Sequence, residues 1–162
     1  MRLLKRSHSA LAYVAYLLGF RNVDAAMNDR LVRTFIQRYM DEDITPTLPE
    51  VPGIDVTKYK QTLIERFSNG AISDQVQRLA MDGSRKIPNF LIPPLEHQLA
   101  SVGSIKWIAF ALAAWYRYLR GVDESGSAIE VVDPEKAELV SRATTGGKDA
   151  LQLLSMRGIF GR

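Results

Sequence analysis

The stretch SIKWIAFALAAWYRYLRG, residues 104–121, limits the possible folds more than any other, because no charged side chain lies between Lys106 and Arg117. A helix that is apolar all round has no stripe with which to face water, so other elements must surround it. Its longest apolar run, Trp107 to Tyr116, is about half of the ~20 residues that a bilayer span requires. The segment is therefore expected to be a buried helix capped by Ser104, with Trp107 to Trp115 at the centre of a helical bundle, and not a membrane anchor.

The rest of the chain can supply the surrounding elements. Leu11, Val14, Leu17 and Leu18 share one helical face after the serines at 7 and 9, and Gly19 is a natural stop. Leu31, Val32, Phe35, Ile36 and Tyr39 repeat that period. Pro46, Pro49 and Pro52 remove backbone donors from DITPTLPEVPG, residues 43–53, which predicts an extended connection there. Asp55 is placed to cap a helix whose apolar face is Val56, Tyr59, Leu63 and Phe67. Ser73 is expected to open a helix ending at Gly83, and IPNFLIPP to break the chain before a short helix from Leu95 to Ala100. Turn residues between 121 and 133 predict a small hairpin or loop. Two further helices are expected around 134–143 and 147–156. The fold class is thus all-α, a single domain of about seven or eight helices.

At 162 residues, 46% apolar and 24% charged, the chain has the balance of one folded domain. Its 21 basic residues are interleaved with acids and the net charge is only +3, which argues against nucleic acid as a partner. Arg2, Lys5 and Arg6 precede an apolar run, but Tyr13 and Tyr16 interrupt it and no small-residue cleavage pattern follows, so an export signal is not read. The absence of cysteine excludes disulfides and thiolate metal sites and permits a cytoplasmic location. His8 and His97 have no partner at metal-ligand spacing, so no metal site is predicted. No glycine-rich phosphate loop follows a strand pattern, and TTGGKD at 144–149 follows a helix instead.

Six motifs point further: RLL at 2–4 with SHSALAY at 7–13, YMDEDITPTLPEVPGID at 39–55, LIERFSN at 63–69, DGSRKIP at 82–88, and WYRYLRGVDESGSAIEVVDP at 115–134. Together they resemble the helical C-terminal half of the polyol-specific long-chain dehydrogenases, the group of the mannitol dehydrogenases and hexuronate reductases. That resemblance implies a metal-independent, NAD-dependent enzyme of two domains. A Rossmann domain holds the cofactor, and the helical domain closes over a sugar alcohol or keto sugar.

The family's catalytic segment reads lysine, four residues, asparagine, two residues, histidine. In this register His8 is the histidine, which fixes the substrate, and Lys5 stands at the asparagine position that helps bind the alkoxide. The general-base lysine falls one position before Met1. Residues 1–162 are thus expected to be the substrate domain without its Rossmann domain, inactive and binding no NAD alone. Lys5 is a departure, since an ammonium offers only donors and a charge where an amide offers a donor and an acceptor. The resemblance also makes Arg78 and Lys86 substrate-binding residues. Without it, Arg78 reads as a solvated arginine and His8 as a capping or core histidine.

Several readings follow: the substrate half of a mannitol-type 2-dehydrogenase, a fructuronate reductase fragment, a subunit complementing a separate Rossmann-domain partner, or a helical binding module that has lost the enzyme. In the enzyme readings His8, Arg78 and Lys86 should converge on one surface with an apolar rim. Exposure of that rim would favour self-association, or disorder around Met1 to Ser7.

Overall fold

The most enclosed element of the computed structural model, which describes residues 2–161, is its first helix. Helix α1 (Arg2–Leu17) is buried at every residue from Ser9 to Leu17. It begins before the serines rather than after them, so residues 2–7 are helical and not disordered. Ser9 fits inside the helix because its hydroxyl donates back to the Lys5 carbonyl at 3.1 Å. Gly19, at φ +88°, ends the turn where expected.

Helices α2 (Val23–Asn28) and α3 (Arg30–Arg38) meet at Asp29, whose carboxylate accepts the amides of Leu31 and Val32. Val32, Phe35, Ile36 and Tyr39 are buried as the period predicts, but Leu31 lies 71% exposed in the first turn. The chain does not leave the helix at Asp43. It continues through a π-helical turn, Tyr39–Ile44, and a 3-10 turn, Thr45–Thr47, and extends only from Leu48. Pro46 is tolerated there because the first residues of a helix have no intrahelical acceptor for their N–H. Helix α4 (Val56–Phe67) starts as predicted, with Asp55 accepting the Lys58 amide at 3.0 Å.

Between 73 and 100 the expected boundaries shift. Ser73 takes a left-handed φ of 52°, so α5 (Val76–Ala80) starts three residues later and ends short of Gly83. The predicted break is helical instead. Helix α6 (Gly83–Phe90) carries Pro88 within it, and α7 (Ile92–Ala100) uses Pro93 and Pro94 in its first turn.

Helix α8 (Lys106–Tyr118) packs on α1, turning Ile108, Ala111, Ala114, Trp115 and Tyr118 inward. Tyr13 of α1 stacks against Tyr118 at 5.3 Å between ring centroids and against Trp115 at 6.5 Å. Each such ring pair adds roughly 1 kcal/mol beyond the area it buries. The rest of α8 is not enclosed: Ala109 and Ala113 are exposed, and Phe110 is 49% exposed. The centre of the bundle is therefore α1, with α8 its main partner. Beside the bare side of α8 runs an apolar groove of about 450 Å³ lined by Leu95, Leu99, Leu112, Tyr116, Leu153 and Phe160.

After α8, Val122 pairs with Ala128 in a single antiparallel bridge, the predicted loop between 121 and 133. Asp123 closes it, accepting the Ser125 and Ser127 amides on one oxygen and the Arg21 guanidinium on the other. Helix α9 (Lys136–Thr145) follows, then α10 (Leu151–Leu154) and α11 (Arg157–Phe160), two short helices where one was expected. Among the described residues the architecture is all-α. Seven α-helices have eight residues or more, and no helix is long and apolar enough to cross a membrane.

Candidate functional site

The N-terminal half of α1 carries His8 outward onto the last residue of α4, where the imidazole stacks on Phe67 with centroids 4.6 Å apart. His8, Leu4, Asp24, Arg66, Phe67 and Asp74 line a small cavity of about 80 Å³. That is well below the roughly 300 Å³ at which complete small-molecule pockets begin, so these residues can form one wall of a site and not a whole one.

A two-residue ladder sets the opposite side of the cavity. Val23 donates its amide to the Asp74 carbonyl and Val76 donates to that of Arg21, both at 2.9 Å, around a bridge between Asn22 and Gln75. This pairing holds Asp74 beside the start of α2. From there the Asp74 carboxylate grips Arg78 one helical turn on: Nε donates to Oδ1 at 2.9 Å, and Nη2 donates to Oδ1 and Oδ2 at 2.6 and 2.7 Å. Arg78 therefore keeps its position although its side chain is 66% exposed. Its Nη1 remains for a ligand.

Lys86, on α6, reaches back to the same turn, its Nζ donating to the carbonyls of Leu79 at 3.0 Å and Arg78 at 3.3 Å. One of its three protons is left over. Partial burial holds its pKa below the usual lysine range; the nearby Arg78 acts the same way and Asp82 opposes.

These charges reach the imidazole. Burial is the main cause that lowers the His8 pKa, to about 4; Asp74 opposes it, and Arg78, Lys86 and Arg66 reinforce it. At neutral pH His8 is an uncharged ring with one donor and one acceptor. Asp74 shares the His8 cavity and holds Arg78, whose carbonyl accepts from Lys86, so His8, Arg78 and Lys86 are linked through Asp74, although neither Arg78 nor Lys86 lines the cavity itself. Lys5 sits elsewhere on α1, exposed, with its ammonium 5.5 Å from the Phe90 ring of α6. Because Lys86 and Phe90 are four residues apart on α6, Lys5 borders the cluster without joining it.

The sequence reading missed Asp74, Asp24 and Arg66. The spacing of Asp74 and Arg78, four residues apart at the start of a helix, is the signal that would have found the first pair. The groove beside α8 shares no lining residue with the His8 cavity, so it is a separate feature of the surface.

Comparison with known proteins identifies the family. The family described as mannitol dehydrogenase C-terminal domain matches residues 1–162. The chain belongs to that family. Mannitol 2-dehydrogenase of Neosartorya fischeri is 44% identical over 161 residues, covering 99% of this chain and 32% of the relative. The Pyricularia oryzae enzyme is 42% identical over the same length. The structure of Pseudomonas fluorescens mannitol 2-dehydrogenase, a ternary complex with NAD and D-mannitol, superposes with a TM-score of 0.94 at 43% identity, covering 98% of this chain and 32% of that one. A substrate-free D-sorbitol dehydrogenase superposes with a TM-score of 0.89 at 31% identity, covering 99% and 33%. The chain therefore spans about a third of the length of these relatives.

In this mannitol dehydrogenase C-terminal domain the described residues form no Rossmann-type phosphate loop. They contain no strand leading into a glycine-rich turn and helix, and TTGGKD runs from the end of α9, with no strand to aim its amides.

Proposed function

We propose that this chain forms the substrate wall of a mannitol-type polyol 2-dehydrogenase, which oxidises a sugar alcohol to a ketose, and that it is inactive alone. What supports the reading is the link from the His8 cavity through Asp74 to Arg78, whose carbonyl accepts from Lys86, in a fold that superposes on an enzyme complexed with D-mannitol. The unspent hydrogen-bonding groups of this cluster suit hydroxyl and carbonyl oxygens: the neutral His8 ring, Arg78 Nη1 and one Lys86 proton. His8 would orient the reacting oxygen, while Arg78 and Lys86 would hold hydroxyls along the carbon chain.

Lys5 takes the asparagine position of the family but lies over Phe90, outside that cluster, so it is assigned no share in the chemistry. NAD and the general base belong on this reading to polypeptide beyond the matched third, either joined to this chain or supplied by a Rossmann-domain partner in the cytoplasm. A fructuronate reductase is the second reading. The Asp74 carboxylate favours the polyol, because it compensates the charge that a hexuronate would otherwise meet on Arg78.

The test is a titration of the chain with D-mannitol, followed by the NMR resonances of the His8 ring, with D-mannonate as the acidic comparator. Weak, saturable shifts with mannitol are expected, and weaker ones with the acid. Unmoved His8 resonances at high mannitol concentration would remove the polyol assignment.

A further inference from the structure

Arg78 is long, mostly exposed and mounted on a helix of only five residues, yet a ligand-binding arginine must meet its ligand in one orientation. An unrestrained guanidinium at such a place would lose rotamer freedom each time a ligand arrived. Here the freedom is already removed. The Nε and Nη2 donors close on both oxygens of Asp74, whose side chain is only 17% exposed. The carboxylate is fixed in turn, because its own backbone is locked to Val23 through the Asn22–Gln75 ladder. Lys86 ties the same turn from the other side through the Arg78 carbonyl.

We propose that Asp74 is the positioning residue of the substrate wall, acting on a bound polyol through the orientation it imposes on Arg78. The inference rests on the polyol reading above and adds to it a residue that acts on the substrate through Arg78. The planar fork of the guanidinium matches a carboxylate on two edges, and the pair leaves Nη1 aimed away from Asp74 as the donor presented to a hydroxyl. A lysine in place of Arg78 would keep the charge and lose the fork.

A double-mutant cycle on the full chain tests this with D-mannitol, read by saturation-transfer NMR, with folding checked by circular dichroism. Asp74→Asn and Arg78→Met should each weaken mannitol binding about tenfold, and the double variant should be no weaker than Arg78→Met alone, since a residue that acts only through Arg78 has nothing left to act on. Arg78→Lys should fall with Arg78→Met, and it serves as the deciding variant if Asp74→Asn does not fold. Independent, multiplying losses would show a merely structural Asp74 and overturn the proposal. So would an Arg78→Lys variant that binds as well as the unaltered chain. A chain that binds mannitol, loses it with Arg78→Met and keeps it with Asp74→Asn overturns this inference alone. A chain that binds no mannitol overturns the polyol reading with it.

Discussion

Asp43 caps a helix that starts more than sixty residues later: its Oδ2 accepts the amide of Ile108 at 2.8 Å, alongside that of Trp107 at 2.7 Å. The other oxygen accepts the Ser104 hydroxyl at 2.6 Å, and Gln98 donates to the Asp43 carbonyl at 2.8 Å. Ser104 was expected to cap α8, but its own contact with the Lys106 amide is a long 3.4 Å. The carboxylate is fully buried, so its removal orphans two amide donors and a hydroxyl. Asp43→Ala should cost about 3 kcal/mol, from lost charge-assisted bonds and unpaired buried donors, and Asp43→Asn roughly half that. Urea denaturation would measure both, and a cost for Asp43→Ala under about 1 kcal/mol would contradict the capping role.

Helices whose signals are local were legible in the sequence. Asp55 and the period through Leu63 and Phe67 placed α4, and Gly19 placed the end of α1. What escaped depends on partners far along the chain. No window around 104 contains Asp43, and none around 78 contains the Val23 amide that fixes Asp74. Pro88 read as a breaker because proline removes a helical donor, yet α6 runs on across it to Phe90. The all-apolar pattern of α8 forecast burial on every side and was correct for one side only, since pattern reports what a helix can bury and not what is present to cover it.

The pH dependence of folding should carry the mark of His8. Its folded pKa, lowered to about 4 chiefly by burial, lies below the ordinary value of 6.5. Between those values the unfolded chain binds the proton that the folded chain refuses, so stability is complete above about pH 6.5 and falls as pH drops towards 4. The loss from this group is at most about 3 kcal/mol. Urea midpoints of the unaltered chain and of His8→Gln, compared at pH 7 and pH 5, should show a smaller acid-induced drop in the variant. Equal drops would place the acid sensitivity in other groups.

Lys5 gives a test of the family register. The chain alone should show no saturable quenching or enhancement of NADH fluorescence, because no described segment forms a pyrophosphate cradle. Co-expression with the N-terminal two thirds of the Neosartorya fischeri relative would supply what this third lacks. In that pairing Lys5→Asn should raise mannitol oxidation about tenfold or more, since it restores an amide, with its donor and acceptor, where the family binds developing negative charge. Higher activity with Lys5 than with asparagine would mean that the ammonium has a role of its own.

Gly83 should resist enlargement. A Cβ there would come within 2.5 Å of Trp115 Nε1 and 2.9 Å of the Tyr13 hydroxyl, both on rings packed between α1 and α8. Neither ring can swing aside, because Trp115 is 1% exposed and Tyr13 fully buried. Gly83→Ala should therefore cost about 1 to 3 kcal/mol, the usual range for forcing a methyl into a filled core, and more than the few tenths that a stiffer unfolded chain would return. Gly158, in α11, has no atom within 4 Å of the corresponding position, so Gly158→Ala should be neutral or slightly stabilising. Paired denaturation curves would check both, with tryptophan emission as the second readout, because displacement of Trp115 moves its indole towards water and its emission to longer wavelength. A neutral Gly83→Ala with unchanged emission would mean that α6 shifts away from the α1–α8 seam at no cost, and that the close packing at Gly83 does not fix the position of Lys86 on that helix.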